Sequence, residues 1–362
     1  MTRAAIGDVT GFSPAAVTKA VRPLLAAGLL RELPEQWTPS GAGRPAVPIR
    51  VEADRAFLIG IKITSDELVG VVTDLRADVL ESRHVPLPAL VRPGHHAHTV
   101  DPDDVIETIG ALVADVSRSR VAGVGIAVSG DVDAAGGVVR FSPLLGWRGV
   151  PLASRVSSLI GLPVSIANDV RALTVAEQWF GVGIDCASFA VITVGTGVGC
   201  GLVVAGDIVE GAHGVAGELG HLPVDPSGPL CHCGATGCVE ALIGEPVLLD
   251  RISEVTSSPV PTLADALALA DSPRVRAIFA DAGAVLGRAV ASVANLLGPQ
   301  RIVISGELLA AYDLFDDAMQ AAFDLQCFGA ARECELVVRP LEFEHWARGA
   351  ASVAISQLLA RG

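Results

Sequence analysis

Cys231, Cys233 and Cys238 crowd into eight residues, and His221 lies ten residues before the first of them. Three thiolates and one imidazole are the donor set of a closed tetrahedral zinc site, and soft sulfur favours zinc over magnesium or calcium. Gly234 and Gly237 permit the tight loop that such close ligands need. His221, Cys231, Cys233 and Cys238 are therefore read as ligands of a structural Zn2+ ion. His232 is a rival fourth ligand, but its place between two cysteines directs its ring badly. Three free thiols without metal are the alternative, and the compact spacing argues against it. Cys186, Cys200, Cys327 and Cys334 stand isolated and read as core. Seven cysteines in 362 residues do not make a disulfide scaffold.

A polar constellation surrounds this cluster. Glu218 and His221 are three residues apart, Glu240 follows Cys238 by two, and Asn168-Asp169 ends an apolar run and opens a helical one. The end of a strand before a helix is where α/β clefts place ligands. Together these five side chains offer donors and acceptors suited to a polyhydroxylated molecule, whose stereochemistry is read through the cost of leaving polar groups unpaired. With the metal on one nitrogen of His221, the other can donate to a sugar hydroxyl. Taken singly, Asp169 reads equally as a helix N-cap.

These residues need elements to hold them. The apolar, β-branched runs 57–63, 68–74 and 79–87 predict a three-stranded meander. A helix over 102–120, a strand over 121–129, a helix over 151–160, a strand over 163–167 and a helix over 169–180 follow. The scheme restarts with strands 189–194, 199–204 and 207–210, then a helix over 274–297, a strand over 301–305 and a helix over 347–359. A meander followed by βαβ units, met twice, predicts two mixed α/β lobes with a cleft between them. The stretch 84–98, rich in Pro and His, is expected to be a surface loop, with His95, His96 and His98 uninvolved in metal.

The two ends of the chain differ in charge. The whole chain carries 26 Lys and Arg against 40 Asp and Glu, a net −14, which excludes a protein that coats nucleic acid over its whole surface. Residues 1–50 hold six basic and three acidic side chains, a net +3 that leaves −17 for the remainder. In this basic head, Thr10-Gly11 signals a turn, Ser13 an N-cap and Pro14 a first helical residue. Val17, Val21 and Leu24 recur at helical spacing and Gly28 ends the run. A short helix over 3–9, a turn and this second helix make a helix-turn-helix, with Thr18, Lys19 and Arg22 facing the major groove. The segment 29–51, with Gly43-Arg44-Pro45, reads as a β-hairpin wing whose Arg44 suits a narrow minor groove. Pro23 is expected to kink the second helix at a cost of about 3 kcal/mol. A winged helix needs an earlier helix to close its core, so the expectation is either a module truncated at its start or a true start upstream of Met1. Hydrophobic residues make up 51%, which excludes global disorder. No run of 18 apolar residues and no signal-peptide pattern is present, so the chain reads as cytoplasmic with no membrane partner.

The winged helix-turn-helix ending in Gly-Arg-Pro resembles the head of repressors of the ROK family (repressors, open reading frames and sugar kinases). Gly217-Glu218-Leu219-Gly220-His221, followed by Cys231-His232-Cys233-Gly234 and Gly237-Cys238-Val239-Glu240, is similar to the ROK signature. The resemblance implies an α/β, two-lobed actin-like sugar-kinase fold with an N-terminal winged helix-turn-helix. The implied domains are 1–52, a first lobe of 53–167 plus 347–362, and a second lobe of 168–346 with the zinc motif. It implies His221, Cys231, Cys233 and Cys238 as zinc ligands. It implies Ser129, Gly130, Asn168, Asp169, Glu218, His221 and Glu240 as a sugar site, Asp169 as the base of the kinase members, and 194–199 as the second phosphate loop.

Departures from the family pattern decide between repressor and kinase. ROK kinases open with Asp-x-Gly-Gly-Thr, whose glycines let backbone N–H groups approach phosphates and whose acid helps hold magnesium. Here Lys62-Ile63-Thr64-Ser65-Asp66 stands in its place, Ile304-Ser305-Gly306-Glu307 replaces three consecutive glycines, and Ala167 replaces a glutamate. Asp169 is then a vestigial base. The expected function is a sugar-responsive transcriptional regulator, by default a repressor. It would bind operator DNA as a homodimer or homotetramer and carry no kinase activity. The rivals are an active ATP-dependent hexose kinase of the ROK family and a sugar-binding protein that lost its DNA contact.

Overall fold

The computed structural model describes residues 1–34, 47–88, 90–91, 98–116 and 118–360. The chain opens with α1 (Arg3–Thr10) and α2 (Pro14–Ala26), capped by Thr2 and Ser13, whose hydroxyls accept from the Ala5 and Ala16 N–H groups. Gly11, left-handed at φ 70°, ends α1 and sets the turn between them. Val17 and Val21, one turn apart, are buried with Ile49, and Ile6, Leu25 and Leu30 pack around them. Leu25 rather than the expected Leu24 completes this stripe. Pro23 does not end the helix: α2 runs on to Ala26, and the Pro23 carbonyl accepts from Ala27 N–H at 2.9 Å. So close to the C-terminus, the proline removes one bond and leaves few beyond it to disturb. β1 (Leu30–Glu32) pairs antiparallel with β2 (Ile49–Val51). Arg44 lies outside the described residues.

The first large sheet begins with β3 (Phe57–Ile63), β4 (Glu67–Thr73) and β5 (Val79–Pro86), an antiparallel meander. β6 (Leu90–Val91) pairs antiparallel with β7 (His98–Thr99), so the stretch expected to be one loop holds the end of β5 and a two-residue strand pair. His95, His96 and the side chain of His98 lie outside what is described. α3 (Pro102–Ala114) stops short of 120, because the Ser-Arg alternation of 117–120 offers no apolar stripe to bury. β8 (Val121–Val128) then joins β3 in parallel. β9 (Asp131–Asp133), β10 (Val138–Ser142) and β11 (Trp147–Val150) form a small antiparallel sheet that the sequence did not predict. α4 (Leu152–Ile160) leads to β12 (Val164–Asn168), parallel to β8, and α5 (Asp169–Phe180) follows without a break.

The second sheet repeats the scheme. β13 (Phe189–Val194), β14 (Val198–Val204) and β15 (Asp207–Ile208) form a meander. Helices α6 (Val239–Ile243), α7 (Glu245–Thr256), α8 (Leu263–Ala268) and α9 (Pro273–Leu297) intervene; only α9 was predicted. β16 (Arg301–Ser305) pairs in parallel with β13, and after α10 (Asp316–Gln326), β17 (Glu335–Val338) pairs with β16. α11 (Phe343–Ala360) is the last of the described elements, starting four residues before the predicted helix. The sheet orders β12-β8-β3-β4-β5 and β17-β16-β13-β14-β15 are the same order under renumbering.

Burial assigns the layers. One face of the first sheet packs on α3 and α4 through Ile59, Ile61, Ile109 and Val156. Its other face meets α11 and α5 through Leu58, Ala351, Ala172 and Ala350. The second sheet meets α5 and Trp346 through Val191 and Val303, and α9 and α10 through Ile192, Ile304 and Phe279. α5 and α11 therefore lie between the sheets. Their approach is unusually close because glycines face them. A Cβ on Gly60 would lie 1.9 Å from the Ala347 carbonyl oxygen, and one on Gly125 would lie 1.8 Å from that of Ala350. This docking fixes where Trp346 and Asp169 fall. α9 is long and apolar enough by composition to cross a membrane, and 67% of its most apolar window is buried inside the second core.

Candidate functional site

The C-terminal ends of β3, β8, β12 and β13 open onto one cavity of about 730 Å³. Ser129, Gly130, Asn168, Asp169, Glu218, His221 and Glu240 all line it, although they come from separate stretches of chain. Each is held by its local structure. Asn168 caps α5, its Oδ1 accepting from Arg171 N–H at 3.2 Å while its amide donates to the Gly130 carbonyl at 3.1 Å. Gly130 adopts φ 103°, and a Cβ there would lie 2.3 Å from the Phe141 carbonyl oxygen, so only glycine fits. Ser129 faces the Ser142 hydroxyl at 3.5 Å. Enclosure pushes the Glu218 carboxyl up; His221 opposes the shift and Asp131 adds to it.

Asp169 is not free. Its Oδ2 accepts from the Lys62 ammonium, and its Oδ1 accepts from Val170 N–H at 2.9 Å. Lys62 is 5% exposed and Asp169 8% exposed. The same ammonium sits 4.9 Å from the centroid of the Trp346 ring, a cation–π contact that the start of α11 supplies. The sequence shows Lys62 replacing an acid; it does not show that Lys62 reaches across 107 residues to Asp169. The turn after β3 is also closed, because the Thr64 hydroxyl bonds Asp66 at 2.9 Å and the Glu67 carbonyl at 3.0 Å.

Residues 195–197 form the hairpin turn between β13 and β14. Gly195 N–H donates to the Gly197 carbonyl at 3.0 Å and Val198 N–H to Glu240 Oε2 at 2.9 Å. Glu307 comes against the same turn: a Cβ on Gly195 would lie 1.9 Å from its Oε2. Glu307 stands on the cavity wall, and desolvation by the protein crowded around it pushes its carboxyl up. Lys62, Trp346, Arg171 and Glu307 are cavity residues that sequence reading assigned no part in the sugar site. The departure at 304–307 was the one available signal for Glu307.

Beside the cavity, the ligand atoms of His221, Cys231, Cys233 and Cys238 lie within 4.8 Å of one another. His221 Nδ1 is 3.6 Å from Cys231 Sγ, and Cys233 Sγ is 3.7 Å from Cys238 Sγ. Zinc–sulfur bonds of about 2.3 Å put tetrahedral sulfurs about 3.8 Å apart, so the cluster has the dimensions of a zinc site. These four residues would hold the ion as a crosslink, with no open position and hence no Lewis-acid role. His221 Nε2 points the other way, 4.0 Å from Glu218. His232, the rival ligand, bonds Glu240 at 3.1 Å and stacks edge-on against His221.

At the N-terminal end, Thr18, Lys19 and Arg22 are exposed on α2, opposite Val17 and Val21. The Thr18 hydroxyl bonds the Pro14 carbonyl at 2.8 Å.

Comparison with known proteins agrees with this layout. The ROK family profile matches residues 58–357. The DNA-binding transcriptional dual regulator NagC of Escherichia coli K12 is 28% identical over 359 residues, covering 95% of this chain and 86% of that protein. The glucokinase of Thermotoga maritima is 34% identical over 272 residues, covering 69% of this chain and 85% of the kinase. The crystal structure of a ROK family transcriptional regulator, a homolog of the E. coli MLC protein, superposes with a TM-score of 0.80 at 26% identity, covering 99% of this chain and 92% of that one.

Proposed function

Because the chain belongs to the ROK family, we propose that it is a sugar-responsive DNA-binding transcriptional regulator whose kinase-like body binds its effector without phosphorylating it. The observation that carries this reading is the buried Lys62–Asp169 pair. A general base must accept a proton from the substrate hydroxyl. Asp169 already has an ammonium on one oxygen and an amide on the other, so neither oxygen stands free to take up that proton. Its remaining lone pairs can still accept from a sugar hydroxyl, so recognition survives where proton transfer does not.

The reading assigns Ser129, Gly130, Asn168, Glu218, His221 and Glu240 to the sugar, with Asp169 as acceptor. A zinc ion on His221, Cys231, Cys233 and Cys238 would fix the His221 ring so that Nε2 faces the cavity. The domain division is residues 1–52 for DNA, 53–167 with 347–362 for one lobe, and 168–346 for the other. Sugar bridging the lobes would favour one relative arrangement and change the spacing of two heads in a dimer. Thr18, Lys19 and Arg22 would meet DNA, with Arg44 on the wing. Coverage of nearly the whole chain by NagC and by the MLC homolog supports a DNA-binding regulator over a kinase.

The rival, an active hexose kinase, draws on the 34% identity to a glucokinase. Incubation with magnesium ATP and a hexose panel separates the two. The regulator reading expects no turnover above background; turnover abolished by Asp169→Asn would refute it. Gel shifts against the chain's own upstream DNA should show specific binding that a sugar modulates. Lys19→Ala and Arg22→Ala should each weaken that binding and reduce its salt slope by about one.

A further inference from the structure

We propose that the cavity selects an unphosphorylated sugar and rejects its phosphate ester, and that Glu307 is the residue that sets this selectivity. The inference rests on the sugar-sensing reading and narrows its ligand.

Phosphate recognition needs free amide N–H groups, cations, and room for the backbone to approach. At the turn after β13 the room is taken by the protein's own carboxylates. The space that Gly195 leaves by lacking a Cβ holds Glu307 Oε2, and Glu240 Oε2 lies 2.8 Å from where a Gly197 Cβ would stand. Two of the turn's amides are already committed, Gly195 N–H to Gly197 and Val198 N–H to Glu240. The glycines here make way for carboxylates rather than for an anionic ligand.

The cations are committed as well. Among the described residues, the only lysine and arginine lining the cavity are Lys62 and Arg171. Lys62 is locked to Asp169 by a direct ion pair, and its charge reaches Glu307 only through space. Arg171 donates to the Gly214 carbonyl at 2.8 Å and lies 3.6 Å from Glu210. A dianionic phosphate would meet the carboxylate of Glu307, which no side chain ion-pairs, beside cations already engaged elsewhere, whereas hydroxyl groups can donate to the same oxygens. Glu307 faces the cavity from the N-terminal end of its own short turn, beyond β16, and no side-chain cation pairs with it among the described ion pairs.

The test is isothermal titration of the 362-residue chain with matched ligands: glucose and glucose 6-phosphate, then N-acetylglucosamine and its 6-phosphate. For the sugar that binds, its 6-phosphate should bind at least tenfold more weakly, as expected for a dianion placed a few ångströms from an unpaired carboxylate. In Glu307→Ala, which opens the cradle and removes the charge, this ratio should shrink at least tenfold. Binding of a 6-phosphate as tightly as, or more tightly than, its parent sugar would overturn the proposal. So would an unchanged ratio in a Glu307→Ala chain with native circular dichroism; should that variant not fold, the wild-type ratio alone decides. No binding by any sugar or phosphate would instead remove the sensing reading, and this inference with it.

Discussion

Replacing Lys62 with methionine removes the ammonium from a carboxylate that stays buried. The side chains of Lys62 and Asp169 are 6% and 11% exposed, so water cannot take over either charge. At an effective dielectric of about 20, two unit charges 4 Å apart attract by about 4 kcal/mol. Breaking one side of a buried pair costs about 3–5 kcal/mol, because the survivor keeps its desolvation without its partner. Asp169 retains the Val170 N–H, which places Lys62→Met near the lower end, about 3 kcal/mol. Asp169→Asn leaves the ammonium without its charged partner instead, against a neutral amide and the Trp346 ring. The double variant Lys62→Met with Asp169→Asn removes both charges and should cost less than the sum of the singles, with a coupling of about 2 kcal/mol or more. Urea unfolding of the four proteins, followed by circular dichroism, measures this cycle. Losses that add to within about 0.5 kcal/mol would show that the pair does not act as a unit, and the account of Asp169 as a neutralised base would fall with it.

Three further outcomes follow from the geometry. Purified chain should contain one zinc per molecule by elemental analysis, and Cys238→Ala should abolish the metal and lower the melting temperature, as loss of a structural zinc crosslink does. Gly125→Val should destabilise by about 3 kcal/mol or more, since its Cβ would lie 1.8 Å from the Ala350 carbonyl oxygen and α11 would have to move off the sheet; an unchanged denaturation midpoint would contradict the close packing of that helix. His84 bonds Glu344 at 2.9 Å and Glu67 at 3.0 Å, and these partners raise its pKa. A raised folded value means that its contribution is full below the unfolded value of about 6.5 and is lost as pH rises through the folded one. The imidazole is 45% exposed, so the effect is small, well under about 1 kcal/mol, and His84→Ala should flatten the slope of melting temperature against pH just above 6.5.

Local features of this chain are legible in its residues alone. The zinc ligands cluster because a loop of eighteen residues, 221–238, holds all four, and thiolate chemistry at that spacing has few other uses. The double meander is legible because β-branched runs of strand length announce themselves by composition. α6, α7, α8 and α10 were not predicted, nor was the small sheet β9–β11. α6, α8 and the strands of the small sheet are short, α7 and α10 are of ordinary length, and all of them take their burial from docking on α9 or on the first sheet.

The candidate site divides along the same line. That Lys62 stands where a magnesium-binding acid is expected, and that Glu307 interrupts a glycine run, can be read residue by residue. What those two side chains touch cannot, because each meets its partner across more than a hundred residues of chain. Lys62 finds Asp169 and Trp346 because α5 and α11 are pressed between the sheets through Gly60, Gly125 and Gly349. Glu307 reaches Gly195 because β16 lies beside β13 in parallel register. Residue type sets which charges are present, while tertiary packing sets the distances between them, and Coulomb attraction in a poorly solvated cleft depends on those distances.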